Sequence, residues 1–148
     1  MTIKELENEI RKLSGSIDSI LKATGYSDYG DIDSVEYDST DAEELLLLDE
    51  IGGIIYKLDE VKSTIDYLSL KIAETGTLHK NSNGRYELPS GREFSCGAGI
   101  EILVDDEYTD APRWVAGAIE HNGNDYYFTA RKGVVLEGAT ARRRERKW

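Results

Sequence analysis

DAEELLLLDEIGGIIYKLDEVKSTIDYLSLKIAE, residues 41–74, decides how the chain is organised. Leu48, Ile51, Ile55 and Leu58 recur at steps of three and four, and Val61, Ile65, Leu68 and Ile72 continue the stripe one position over. That is the period of one helix face, and no Pro interrupts it. Thr40 or Asp41 suits the N-cap, and Glu43 and Glu44 complement the positive end of the helix dipole. Leu45 to Leu48 are consecutive leucines and cover more than one side of a helix, so more than one neighbour is expected there. Gly52 and Gly53 mark a point where the helix bends or another backbone approaches closely. The helix is expected from about residue 41 to 75, stopping at Gly76, which at about 1.5 Å per residue gives a length of roughly 50 Å.

Upstream, Ile3, Leu6, Ile10, Leu13, Ile17 and Ile20 form a heptad seam separated by charged and polar residues. Thr2 and Glu5 fit a capping box, and Gly25 suits the stop, which places a first helix at about residues 2–24. Gly15 weakens it by about 1 kcal/mol relative to Ala. Three heptads alone are marginal in water, so the seam needs a partner. Two readings stand: packing within its own chain, or a dimerising coiled coil. The second helix is too long for the first to cover. Its surplus stripe is expected to meet the C-terminal domain, a second copy or another protein.

The connection, GYSDYGDIDSVEYDST at residues 25–40, contains no Lys or Arg. From Gly25 to Glu50 there are ten acidic residues and no basic one. Asp31 and Asp33 suggest a calcium loop, but Val35 and the missing Gly break the EF-hand pattern. The run reads either as a solvated loop or as a surface that mimics phosphates, with Tyr26, Tyr29 and Tyr37 interleaved as contact or anchoring residues. The candidate partner-binding acids are Asp28, Asp31, Asp33, Glu36, Asp38, Glu43 and Glu44.

After Gly76 the period changes. Arg85–Leu88, GIEILV at 99–104, Trp114–Ile119, Asp125–Thr129 and Val134–Leu136 read as short strands. Pro89-Ser90-Gly91 and Asn122-Gly123 are turn signals, the second a strong one for a hairpin. Such a series suits a small antiparallel barrel of the SH3-like or OB-like kind, with Gly97, Gly99, Gly117 and Gly138 at its bends. Trp114, Tyr126, Tyr127 and Phe128 lie on adjacent strands, and alternation points Tyr126 and Phe128 one way and Tyr127 the other, so one set is core and the other is free to stack bases or grip a peptide. Arg113, Arg131 and Lys132 would rim such a face. At the end, Arg142, Arg143, Arg144, Arg146 and Lys147 make a basic run, read as a solvated tail, a contact with the acidic half, or a nucleic-acid contact.

The overall balance is 18 basic against 29 acidic residues, a net charge of −11. Residues 1–75 carry all of that excess, whereas 76–148 are balanced. The acidic half repels nucleic acid and suits a basic protein surface. Cys96 is the single cysteine, which rules out an intramolecular disulfide and a thiolate metal cluster. MTIKELENEIRKL lacks the apolar core of a signal peptide, and no stretch approaches a membrane span, so a cytoplasmic protein away from membranes is expected. No Walker loop, GxGxxG or HExxH motif occurs, and neither His79 nor His121 is set beside a nucleophile signature. No enzymatic activity, cofactor or metal is expected.

GRYEL, GIEILV, W-x-x-x-x-I-E-H-N, DYYF and G-V-V-L-E-G-x-x-A-R-x-R together resemble a small domain of unknown function found in Firmicutes genomes and their mobile elements. The resemblance covers about residues 78–144 and implies a setting, not an activity. That setting is a bacterial or phage accessory protein, in which small acidic proteins often inhibit host defence, anti-CRISPR proteins among them. The resulting expectation is an α+β protein. An antiparallel helical coiled-coil arm at 1–75 would precede a β-barrel with a basic tail at 76–148. Functionally it would be a non-catalytic inhibitor or regulator, a homodimer through its helices. It would dock its acids on a basic partner such as a nuclease. The alternatives are nucleic-acid binding by the barrel and Arg-rich tail, and a purely structural coiled-coil oligomer.

Overall fold

Two helices followed by short antiparallel strands make up the chain, and a computed structural model describes residues 1–27 and 31–146. It divides into two units, Met1–Ser69 and Leu70–Trp148.

In the first unit, α1 spans Ile3–Ala23 and α2 spans Ala42–Ser69. The capping box at Thr2 closes as expected. The Thr2 hydroxyl accepts from the Glu5 N–H at 3.2 Å, and the Glu5 carboxylate accepts from the Thr2 N–H at 2.6 Å. Gly25 adopts φ +62°, a left-handed conformation that ends α1. Asp41 caps α2, its carboxylate accepting the Glu43 N–H at 2.9 Å. The helices run antiparallel. Arg11, midway along α1, donates to the Leu68 carbonyl at 3.1 Å, Ser14 reaches Asp66 at 3.3 Å, and Tyr26, beyond the end of α1, reaches Asp59 at 3.3 Å. Ile17, Ile55 and Ile65 are the buried apolar residues of this pair. Leu6, Ile10, Leu13 and Ile20 keep 40–47% of their surface exposed, so the heptad seam is only partly covered.

The helix expected to reach residue 75 ends at Ser69. Beyond it, β1 (Ile72–Thr77) pairs antiparallel with β7 (Thr140–Arg144). Helical spacing continues through Ile72, but the backbone groups of this segment are taken by the strand at residues 140–144, and that pairing overrides the local period. A bulge between Ile72 and Glu74 marks the entry.

The second unit continues with β2 (His79–Lys80), β3 (Tyr86–Glu87), β4 (Ala98–Val104), β5 (Arg113–His121) and β6 (Tyr126–Phe128). One sheet has the order β1-β7-β4-β5-β6, and β2 pairs with β3 in a small second sheet. The edges β1 and β6 are not joined, so the expected barrel gives way to an open five-stranded antiparallel sheet. Val134–Leu136, expected as a last strand, is irregular, and Leu136 nevertheless drops into the core. Instead the last strand is built from the arginine-rich run. The hairpin at Asn122-Gly123 forms as expected between β5 and β6, with Gly123 at φ +89° and the Asn122 carboxamide oxygen accepting from Asn124 and Asp125.

The core lies on one face of the sheet. Ile100, Ile102, Ile119, Phe128 and Ala141 project from the strands and meet Leu78, Leu88 and Phe94 from the intervening segments. Gly117 is there for space. A Cβ at this position would lie 2.6 Å from the Phe128 ring and 2.7 Å from the Ala130 methyl. Gly117→Ala is therefore expected to lower unfolding stability by about 1–3 kcal/mol, measured by chemical denaturation.

Candidate functional site

The acids of the connection form a surface within the helical unit. Tyr26 and Ile32 pair in an isolated antiparallel bridge, and the Ser34 N–H donates to the Thr24 carbonyl at 3.2 Å. This holds the following segment alongside the start of α2. Asp31, Asp33, Glu36, Asp38, Glu43 and Glu44 are all exposed. Asp28 lies outside the described residues. Asp38 accepts from the hydroxyl and N–H of Thr40 at 2.7 and 2.8 Å, and those hydrogen bonds, the hydroxyl's foremost, hold its carboxyl below the usual range. Glu44 accepts the Asp38 N–H at 2.5 Å, which ties the segment back to the helix.

Two clefts lined by acidic and apolar residues open here. One, of about 520 Å³, has Asp31, Asp33 and Asp49 around Val35, Tyr37 and Leu48. The other, of about 280 Å³, sets Glu36 and Glu44 beside Ile32, Leu47 and Ile51. Asp49 joins the acidic rim one turn beyond the residues the sequence singled out, on the same side as the loop. Leu45, Leu46, Leu47, Ile51 and Ile54 stay 39–54% exposed beside the acids. The arrangement is a negative rim around half-exposed leucines, with no basic residue between Gly25 and Glu50. Among the described residues no group of His, Cys, Asp and Glu is placed to hold a metal ion, and no helix is long and apolar enough to cross a membrane.

The basic run has a different place. Arg142 and Arg144 lie on the face of β7 away from the core and converge on Glu101 of β4. Arg142 donates to Glu101 Oε1 from Nη2 at 2.8 Å and from Nε at 3.1 Å, and Arg144 Nε reaches Oε2 at 2.5 Å. Glu101 is 4% exposed. Arg142 also stacks over Trp114 at 4.2 Å. Arg143 points the other way, 3.6 Å from Glu74 of β1. Arg146 is exposed, and Lys147 lies outside the described residues. Arg113 and Arg131, expected as a basic rim, both face Asp106, at 3.4 and 3.7 Å. The aromatics follow the expected alternation: Phe128 is buried, Tyr126 packs on the core and Tyr127 is exposed. His79 contacts Glu137 at 2.8 Å, His121 lies edge-on to Tyr126, and Cys96 is exposed.

Glu101 was not singled out in the sequence, although an acid inside the apolar run GIEILV is a signal, since a lone carboxylate in a core strand needs a cation. Replacing it by Gln leaves two arginines facing a neutral group. Glu101→Gln is expected to cost about 3 kcal/mol of stability in urea denaturation.

Residues 76–143 match the model of a family described as Domain of unknown function (DUF5348). The match runs from within β1 to within β7 and overlaps the stretch whose motifs suggested such a domain. Comparison with curated proteins and with solved structures gave no match. Residues 76–143, which hold most of the sheet, are thus a DUF5348 domain of unknown function.

Proposed function

We propose that the protein is a non-catalytic inhibitor or regulator that works by binding another protein. In this reading it acts in the cytoplasm of a bacterial host, carried by a phage or mobile element. It docks the acidic surface of residues 31–49 on the basic surface of a nucleic-acid-handling partner, such as a CRISPR nuclease. The observation that carries the reading is the negative rim around exposed leucines at the start of α2. Carboxylates steer a basic partner into register, and the leucines supply the water-excluding centre that gives an interface its lifetime. The phage or mobile-element setting rests on the motif resemblance alone.

Neutralising Asp31, Asp33, Glu36, Asp38, Glu43 and Glu44 to Asn or Gln tests it. With a basic nuclease captured from a bacterial host, the association rate is expected to fall at least tenfold at low salt, and its salt dependence to flatten. The circular dichroism spectrum should be unchanged. Wild-type association by the neutralised variant would sink the proposal.

A second reading, homodimerisation through a coiled coil, is favoured by the uncovered seam of α1, where Leu6, Ile10, Leu13 and Ile20 are 40–47% exposed. Sedimentation velocity of the full chain is expected to give a dimer, and Leu6→Glu with Leu13→Glu a monomer. A wild-type monomer at micromolar concentration rejects this reading.

A further inference from the structure

We propose that a small cleft at the arginine-rich end of β7 binds a phosphate group. Arg92, Arg143, Arg144 and Arg146 line it, together with the buried Phe94 and Ala98. The site lies wholly within the sheet unit.

Two of its four arginines, Arg143 and Arg144, have carboxylate partners among the described residues, and two do not. Glu93 also lines the cleft, but its carboxylate is occupied by Asn81 at 2.8 Å, Asn83 at 3.1 Å and Arg85 at 3.1 Å. Arg144 is committed to Glu101 and to the Leu70 carbonyl at 2.9 Å. Arg92 and Arg146 are exposed and form no ion pair among the described residues. Arg143 is the telling residue. Its Nε is buried and lacks a hydrogen-bond partner among the described residues. The nearest carboxylate, Glu74, stands 3.6 Å away and is engaged by the Ser90 hydroxyl at 2.6 Å and the Ser90 N–H at 2.9 Å. The terminal nitrogens of Arg143 make no hydrogen bond among the described residues, so the guanidinium, in only long contact with Glu74, is the group that an anion in the cleft would engage.

Size and shape select the anion. The cleft encloses about 130 Å³, against about 300–1,000 Å³ for sites that bury organic ligands. A whole nucleotide does not fit, whereas one tetrahedral oxyanion with a few waters does. Guanidinium groups from β7, from the segment after it and from the loop that holds Arg92 match a group with three or four acceptor oxygens better than a planar carboxylate. A cleft of this volume takes the group singly, as inorganic phosphate or as a terminal phosphomonoester.

The test is a phosphorus NMR titration of the full chain with inorganic phosphate at low chloride. Saturable binding is expected, with Arg92→Gln and Arg146→Gln each weakening it about tenfold while the thermal unfolding transition stays in place. Adenosine monophosphate should compete and adenosine should not. Non-saturable shifts overturn the proposal. So does equal affinity in the two folded variants, or competition by adenosine as strong as by its phosphate.

Discussion

A buried carboxylate with two guanidinium partners sets the terms for the sheet. Glu101 sits in β4 between Ile100 and Ile102, on the opposite face from them, and is almost inaccessible to water. Such a charge is tolerated only with counter-charges in good geometry. Arg142 and Arg144 provide them from β7, two residues apart and so on the same face. The pairing also acts as a register lock. Sliding β7 by one residue would present Arg143 to Glu101 and pull Ala141, fully buried against the core, to the other face. The third arginine points the opposite way. It reaches Glu74 across the β1 pairing, so a run that looks like one basic patch is divided between two faces of a sheet.

That division explains what could be read in advance and what could not. Helix α1 and most of α2 were legible because amphipathic spacing and capping residues act locally. The Thr2–Glu5 box and the Asp41 cap both formed as their residue types require. The β5–β6 hairpin was legible for the same reason: Asn122-Gly123 carries its own turn chemistry. The alternation of Tyr126, Tyr127 and Phe128 follows from the pleat. Other features were not legible. The end of α2 was overrun because the pairing that stops it is made with residues 140–144, at the far end of the chain. The arginine run was read as a tail because its partner, one glutamate in an apolar strand, lies 41 residues away. Counting strands also suggested closure, but closure depends on how edges meet, which strand number alone does not specify.

The acidic surface was more legible than the fold that carries it. Its residues are contiguous in sequence, and their number without a single Lys or Arg survives any local error in structure. What the residue list lacked was the apolar half. The leucines of α2 were expected to meet more than one neighbour, and the antiparallel helix buries only Ile55 and Ile65 and leaves Leu45 to Leu47 half open. Acid and leucine therefore share one surface.

The pairing of β1 with β7 has a consequence for how the domain comes into being. The first strand of the sheet finds its neighbour in the last, and β4 waits on that same strand for the cations that neutralise Glu101. During synthesis, everything from Ile72 to Ala139 leaves the ribosome before its organising strand exists. The β4–β5–β6 meander can pair early, since its contacts are local, but it carries an unpaired carboxylate on its outer face until residue 144 arrives. Completion of this sheet is thus a late, chain-length-gated event, and the helical unit ahead of it has time to form first.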